Sequence, residues 1–321
     1  MGVRIYEDKY KDLSAVSIEN EILTATFLPK FGGKMASFRY KKTGREFLVQ
    51  AEGEKYKKLE FAGDYVASEC SGFDDMFPTI DERAYDKFPW QGMIMPDHGE
   101  VCGLKWEYEI EKNEERIHCW VYGVRLPYKM EKWIYFSDEN ELMIDYKITN
   151  LSVYEFEFIW AAHVMINAEE NAEILAPYSE ESDIICVFST DEGFGKKDLK
   201  MQWPNIERLD KRRMDISKTL DRKDNGNNYK FYFDNPVPEG WCGYLYNSDK
   251  TKLLLKFTED TLPYLGIWVN EGGFKGYHNI ALEPCSATFD DPISARKKGQ
   301  FSSLKGKAEY ECSLNFCVEK L

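Results

Sequence analysis

The sequence predicts an all-β protein, either a β-sandwich or a β-barrel. Short segments rich in β-branched and aromatic residues recur along the chain, with polar turns between them. Only one segment carries helix signals, with Asp290 or Asp291 as N-cap, Pro292 in the first turn and Gly299 at the end. Many strands with few helices form a sandwich or barrel. Because no linker divides the 321 residues, we expect a single domain over residues 1–321.

Alternating segments in the N-terminal half predict a series of hairpins. Gly32 and Gly33 form a turn between the first two of these strands, and residues 106–111 place apolar side chains on one face and glutamates on the other. The turns at residues 113–115 and 137–140 are polar. The predicted strands are residues 22–28, 34–40, 46–49, 106–111, 116–122, 130–136 and 142–149.

The C-terminal half continues the pattern around one long polar stretch. Residues 154–160 are an almost unbroken apolar run, which predicts a central strand. Residues 189–228 are polar and predict a long insertion or flap. The remaining predicted strands are residues 241–247, 252–258, 265–270 and 310–318.

Charge and composition exclude several classes of partner. A formal net charge of -14 opposes binding to nucleic acid or to an anionic membrane surface, because phosphate binding requires a basic patch. No window approaches 18 apolar residues, and the N-terminus has no apolar signal core. The eight cysteines are scattered without a CxxC pair, which favours reduced thiols over a disulfide framework or metal site. We therefore expect a cytoplasmic protein.

A carboxylate near the C-terminus is the first candidate for chemistry. Ile280, Ala281 and Leu282 predict the end of a buried strand, and Pro284 is expected to stop it. Glu283 then lies at a strand end with apolar neighbours, where a raised pKa would make it a general base. The alternative is a solvated glutamate with no role.

Two of the four histidines are further candidates. His98 lies in a tight loop between Pro96 and Gly99, and loops often carry functional groups. His163 lies within an apolar run and must find a partner if it is buried. The alternative for His163 is a hydrogen-bonded core residue. His118 alternates within an ordinary strand and is assigned no role.

The order of these motifs resembles the aldose 1-epimerase (galactose mutarotase) family, over residues 17–318. The fold that this implies is the galactose mutarotase-like supersandwich, a large antiparallel β-sandwich. The sequence departs from the family after His163, where residues 164–167 lack its aromatic-rich stretch, and in residues 71–79, which carry an acidic pair. The matching motifs are Asn20-Glu21-Ile22-Leu23, Phe31-Gly32-Gly33-Lys34-Met35, Asp97-His98-Gly99, Trp106, His163 and Leu282-Glu283-Pro284.

The resemblance implies an isomerase that interconverts the α and β anomers of a neutral aldose without a metal or cofactor. Glu283 would be the base, His163 the acid that protonates the ring oxygen, and His98 a hydrogen-bonding partner of the ring oxygen or a hydroxyl. The alternative on the same fold is a carbohydrate-binding protein without turnover. The expected substrate-binding residues are Asp74, Asp75, Trp160, Trp268 and Asn270.

The basic residues near the motifs bear on the charge of the substrate. Arg83, Arg125 and Lys275 are the only ones close in sequence, and we expect them to be solvated. A sugar phosphate would need a cation aimed at its phosphate. The sequence therefore predicts a preference for neutral aldoses over their 6-phosphates, and it leaves the sugar, the anomer and the oligomeric state open.

Overall fold

The chain is almost entirely built from β-strands. A computed structural model describes residues 2–220 and 226–321, and nearly every element in these ranges is a strand. The strands are β1 (Arg4–Tyr10), β2 (Leu13–Glu19), β3 (Leu23–Leu28), β4 (Lys34–Tyr40), β5 (Arg45–Glu46), β6 (Phe73–Met76), β7 (Arg83–Ala84), β8 (Ile94–Met95), β9 (Glu107–Glu111), β10 (Arg116–Tyr122), β11 (Tyr128–Asp138), β12 (Glu141–Asn150), β13 (Phe156–Phe158), β14 (Ala161–Asn167), β15 (Glu173–Leu175), β16 (Ser182–Ser189), β17 (Lys200–Trp203), β18 (Asn205–Glu207), β19 (Arg213–Asp215), β20 (Asn228–Phe233), β21 (Trp241–Tyr246), β22 (Thr251–Phe257), β23 (Tyr264–Glu271), β24 (His278–Cys285), β25 (Ser302–Leu304) and β26 (Glu309–Lys320).

Two large antiparallel sheets dominate the architecture. The 12-stranded sheet has the order β1-β2-β3-β4-β6-β14-β24-β23-β20-β16-β17, with β5 paired to β4. The 8-stranded sheet has the order β15-β21-β22-β26-β12-β11-β10-β9. One continuous apolar core takes side chains from both sheets, including Phe27, Ile134 and Leu282. The predicted all-β antiparallel sandwich is therefore confirmed.

The 8-stranded sheet shows why the alternation in sequence was informative. Every second residue of β12 is buried, so that one face packs on the core and the other faces solvent. Such strands are easily recognised in the sequence, because successive side chains point to opposite faces and burial of one face gives an alternating pattern.

The central strands of the 12-stranded sheet are buried on both faces. Six of the seven residues of β14 and seven of the eight residues of β24 are buried. Connecting segments cover the face that points away from the core, and Nζ of Lys275 joins two of them by donating to the carbonyl of Ser68 at 2.6 Å. A cavity remains between these segments and the sheet.

Two sequence predictions about strands are wrong. Residues 154–160 contain only the short β13, which pairs with β25 in a separate two-stranded sheet, because this apolar run covers the core rather than joining the large sheet. β24 does not stop before Pro284 but continues to Cys285. The pairing of β24 with β14 passes from Val164–Leu282 to Ala161–Cys285. Pro284, which has no N–H to donate, falls between these two pairs.

The polar stretch and the helix also have defined structures. Part of residues 189–228 is sheet, since β17 extends the edge of the 12-stranded sheet and β18 pairs with β19. Residues 221–225 of this predicted insertion lie outside the described residues. The predicted helix is confirmed as α1 (Pro292–Lys298), capped by Asp291 and ended by Gly299. Among the described residues, no helix has the length and apolar character needed to cross a membrane.

Candidate active site

Five neighbouring strands place one row of residues side by side. His163 on β14 pairs with Asp74 on β6, Glu283 on β24 pairs with Gly266 on β23, and Gly266 pairs with Tyr232 on β20. His163 and Glu283 lie opposite each other between the two ladder pairs that flank Pro284. Residues opposite each other in a sheet point to the same face, so this row shares the face that carries the cavity.

The cavity above this row has a volume of about 450 Å³, which lies in the range of small-molecule sites. The structure brings Glu283, His163 and His98 together in its wall. Apolar and aromatic side chains alternate there with carboxylates and lysines. The lining residues are Tyr65, Val66, Cys70, Ile80, Asp81, His98, His163, Met165, Val187, Phe188, Lys197, Asn228, Lys230, Trp268, Phe274, Glu283 and Asp290.

The two histidines and the glutamate are within reach of one small ligand. Nε2 of His163 lies 4.0 Å from Oε1 of Glu283. The ring centres of His98 and His163 are 5.8 Å apart, at an angle of 81°. Tyr65 stacks on His98 with ring centres 3.7 Å apart, and its hydroxyl donates to Oδ2 of Asp74 at 2.9 Å. Tyr65 therefore fixes the plane of the His98 ring.

The loop that carries His98 has an unusual backbone. His98 has a φ of 60°, a conformation that non-glycine residues seldom adopt and that often marks functional sites. Gly99 follows with a φ of 75°, and a Cβ there would lie 2.3 Å from the carbonyl oxygen of Phe77. Nδ1 of His98 lies 3.0 Å from Oδ1 of Asp97, although this contact does not have the geometry of a hydrogen bond.

Glu283 is a buried carboxylate with one committed and one open oxygen. Oε2 lies 2.6 Å from Nζ of Lys230, and that ammonium also lies 2.8 Å from Oδ1 of Asp290. Neither oxygen has a partner with hydrogen-bond geometry among the described residues, so the ion pair alone holds Oε2 and Oε1 is open. Burial raises the pKa of Glu283, and Lys230 opposes this by stabilising the ionised form. A buried, unpaired acceptor in a cavity wall marks a place for a ligand donor.

The pKa of His163 is shifted in the opposite direction to that of Glu283. Burial lowers the pKa of His163 well below the ordinary value, and the nearby side chains of His98, Lys230 and Lys34 add to the effect. Its imidazole is therefore mostly neutral near pH 7 unless a ligand or the Glu283 carboxylate stabilises the proton.

Trp268 is the one predicted substrate-binding residue in the cavity wall. Its ring centre lies 6.1 Å from that of His163. Asn270 lies two residues further along β23 but is fully buried, and its amide donates to Oδ1 of Asn279 at 2.9 Å. Trp160 is fully buried, with its ring 4.8 Å from that of Tyr146 in the core. The structure does not bring Asn270 or Trp160 to the cavity.

The predicted acidic pair divides between the two faces of β6. Oδ2 of Asp74 accepts from Lys34 at 2.7 Å and from Tyr65, so Asp74 supports the cavity wall from behind. Asp75 points to the core, where its carboxylate lies 2.7 Å from Nζ of Lys132 and both side chains are 1% exposed. Neither carboxylate lines the cavity.

Sequence reasoning missed the charged partners of Glu283. Lys230 lies in β20, whose sequence Asn-Tyr-Lys-Phe-Tyr-Phe is apolar apart from its first residues and entirely buried. A lysine in such a run must have a buried anion, and this signal was available in the sequence. Asp290 belongs to the segment that was interpreted only as a helix cap.

The three basic residues near the motifs do not line this cavity. Arg83 lies 3.5 Å from Asp291, and Arg125 donates to the carbonyl of Ile94. Lys275 bridges to Ser68 as described above. The cations in the wall are instead Lys230, which is paired, and Lys197, which is exposed.

A second cavity of about 760 Å³ lies on the other side of the Lys275 bridge. It is larger, but its polar groups already serve the fold. Glu69 forms an ion pair with Lys11, and the amide of Asn167 donates to the carbonyls of Glu46 and Leu48. None of the predicted catalytic residues lines it, so the smaller cavity is the better candidate.

Among the described residues, one cluster outside the cavity has metal-ligand chemistry. Glu109, Glu111 and His118 on β9 and β10 offer ligand atoms within 4.8 Å of one another. Arg116 already pairs with Glu111, and Nε2 of His118 lies 3.3 Å from Glu131. The same groups thus satisfy each other as a partly buried ion-pair network.

Comparisons with known proteins support the fold. A family model described as a domain of unknown function (DUF5107) matches residues 5–143, which is less than half of the chain. No curated protein matches. The solved structures include many similar chains.

Three of these structures show the extent of the likeness. The Slr1438 protein from Synechocystis sp. PCC 6803 is 14% identical with a TM-score of 0.69, over 98% of this chain and 100% of that one. A galactose mutarotase-like protein from Clostridium acetobutylicum is 13% identical with a TM-score of 0.67, over 99% of each chain. A galactose mutarotase related enzyme from Lactobacillus acidophilus is 15% identical with a TM-score of 0.65, over 95% of this chain and 97% of that one. The chain therefore has the galactose mutarotase-like fold.

Proposed function

We propose that this protein is an aldose 1-epimerase-type isomerase that interconverts the anomers of a neutral aldose by general acid–base ring opening. The observation that carries the proposal is the open oxygen of Glu283, which lies opposite His163 in the wall of a sugar-sized cavity. His98 is the third polar group beside them. Fold likeness raises the expectation, but function is argued from the site.

Glu283 is suited to be the base. Its ion pair with Lys230 keeps the carboxylate available in a buried place where it would otherwise hold a proton. Oε1 takes the proton of the anomeric hydroxyl, and the bond between the anomeric carbon and the ring oxygen breaks. The open-chain aldehyde rotates and closes on its other face.

His163 is suited to deliver a proton to the ring oxygen. Nε2 of His163 lies only 4.0 Å from Oε1 of Glu283, so the two groups titrate as a coupled pair. The pair is active when it holds one proton, with the carboxylate ionised and the imidazole protonated. Activity should therefore follow a bell-shaped pH profile whose two limbs belong to the pair.

The rest of the wall favours a neutral, hydroxyl-rich ligand. Trp268 offers an aromatic face next to the histidine, and such faces cover the apolar side of a sugar ring. Asp81 and Asp290 add acidic acceptors. Only the exposed Lys197 is a cation without a partner there among the described residues. We infer that neutral aldoses react better than their 6-phosphates, and rates for both at matched salt test this.

Anomer interconversion can be measured directly by polarimetry or by NMR exchange on a panel of aldoses. We expect Glu283→Gln and His163→Asn each to slow the reaction by on the order of a hundredfold or more, the usual scale for such groups. Glu52→Gln, in the other cavity, and His118→Asn, on the other sheet, are matched controls that should retain wild-type rates. Equal losses in the controls would show that the substitutions act through the fold.

The ion pair on Glu283 also fits a second function, a sugar-binding protein without turnover. A carboxylate held by a lysine accepts hydroxyl hydrogen bonds well but is a weaker base. This reading predicts sugar binding in a calorimeter with no acceleration of anomer exchange for any aldose in the panel.

A further inference from the structure

We propose that Lys230 is a positioning residue, which holds Glu283 ionised and directs its Oε1 toward His163 and the cavity, while Asp290 anchors the lysine. This inference deepens the proposed function and rests on it for its kinetic readout. Nothing in the family-like motifs indicated a lysine at this place.

The backbone makes the contact possible. Lys230 on β20 and Glu283 on β24 are separated by β23, and the residue of β23 opposite Glu283 is Gly266. Because Gly266 has no side chain, the lysine can extend across β23 to reach the carboxylate. A Cβ at this position would also lie 2.9 Å from the ring of Tyr232.

The ammonium is held from two sides. It lies 2.6 Å from Oε2 of Glu283 and 2.8 Å from Oδ1 of Asp290. The Tyr232 hydroxyl donates to the same oxygen of Asp290 at 2.8 Å, and the backbone carbonyl of Asp290 accepts from Ile80. Asp290 is therefore fixed independently of the lysine. Because Oε2 of Glu283 forms the ion pair with Lys230, Oε1 is the oxygen more open to a ligand.

The electrostatic consequence has a definite sign. Lys230 is positive beside both members of the catalytic pair, and its presence lowers the pKa of Glu283 and of His163. Asp290 is negative, and its presence raises the pKa of Glu283. The titratable groups around Glu283 are His163 on β14, His98 in its loop, Lys230 and Tyr232 on β20, Cys285 on β24, and Asp81 and Asp290 in connecting segments.

Opposite substitutions should therefore move the pH profile in opposite directions. In Lys230→Met, both limbs of the bell for kcat/KM should move to higher pH by about one unit or more, the scale of a charge at such distances. In Asp290→Asn, the acid limb should move to lower pH. Lys230→Arg should restore most of the wild-type profile, and Lys200→Met, an exposed lysine on β17, is the matched control.

A second readout does not depend on turnover. The carboxyl band of Glu283 can be titrated by infrared difference spectroscopy, with Glu283→Gln used to assign it. In Lys230→Met, the midpoint for Glu283 should rise relative to wild type. If wild type does not accelerate anomer exchange, the proposed function fails, while this titration still tests the role of Lys230.

Two outcomes would overturn the inference. One is a Lys230→Met protein whose Glu283 titrates as in wild type. The other is an unchanged pH profile with a raised KM, which would make Lys230 a direct substrate ligand. If Lys230→Met does not fold, the pH profile of Asp290→Asn tests the inference instead. An acid limb that stays at its wild-type pH or moves to higher pH would contradict the expected downward shift.

Discussion

The sequence predicted that Asp75 binds the substrate, whereas its buried ion pair with Lys132 indicates a structural role. Substitutions of this pair can distinguish the two roles. Both side chains are 1% exposed, and Nζ of Lys132 lies 2.7 Å from Asp75 and 2.7 Å from the carbonyl of Gly33. The ammonium also lies 4.8 Å from the centre of the Trp106 ring. We expect Asp75→Leu and Lys132→Met, made singly, to destabilise the protein strongly, because each leaves an unpaired charge in the core.

The expected size follows from the burial of the pair. Removing one partner of a buried ion pair costs about 3–5 kcal/mol, whereas replacing both with apolar groups is often neutral or stabilising. Each single variant should lose about 3–4 kcal/mol of unfolding free energy. The double variant should recover most of that loss.

Guanidinium unfolding followed by tryptophan fluorescence measures these free energies, and a double-mutant cycle isolates the coupling. Anomer exchange in the double variant should stay within about twofold of wild type, because the pair lies on the core face of the sheet. A coupling energy near zero would refute the argument from burial. A stable Asp75→Leu protein without sugar affinity would restore Asp75 as a ligand for the substrate.

Two further predictions concern pH and backbone geometry. Burial raises the pKa of Glu46 to about 7, so the folded state binds more protons than the unfolded one, and stability should fall by about 3 kcal/mol as pH rises from below about 4.5 to above about 7. Glu46→Gln should flatten that segment of the stability curve, and an unflattened curve would contradict the assignment. Gly99→Ala should lower stability by more than 2 kcal/mol, since its Cβ would clash with Phe77, whereas Gly44→Ala has open space and should cost about 1 kcal/mol. Similar losses in the two alanine variants would show that the loop adapts.

The sequence predicted the regular parts of the fold because their patterns are local. β10 and β4 have the predicted bounds, and β11 and β12 extend their predicted ranges by one or two residues at each end. Their alternation reports burial on one face only. The prediction of a central strand over residues 154–160 was wrong because an apolar run shows that a segment is buried but does not show which strand it pairs with.

The site was predicted only in part, for a different reason. Glu283, His163 and His98 stood out because each is a polar group in a distinctive local setting. Asp75 and Asp74 are adjacent in sequence but face opposite sides of β6, so proximity in sequence could not place both in a site. Lys230 could not be linked to Glu283 from sequence, since the contact requires knowing that β20, β23 and β24 are neighbours.

Three departures from regular sheet structure adjoin the cavity, and together they explain why this point of the fold can carry chemistry. Pro284 interrupts a central ladder beside Glu283, and Gly266 leaves a central position without a side chain. His98 holds a left-handed backbone conformation that Gly99 continues. Each departure would weaken an ordinary strand or loop. Here Pro284 accompanies a gap in the strand pairing at His163, and Gly266 leaves room for Lys230 to reach Glu283. The backbone conformation of His98 places its imidazole beside His163 and Glu283. Such local violations of folding rules are expected where a chain serves a function rather than its own stability.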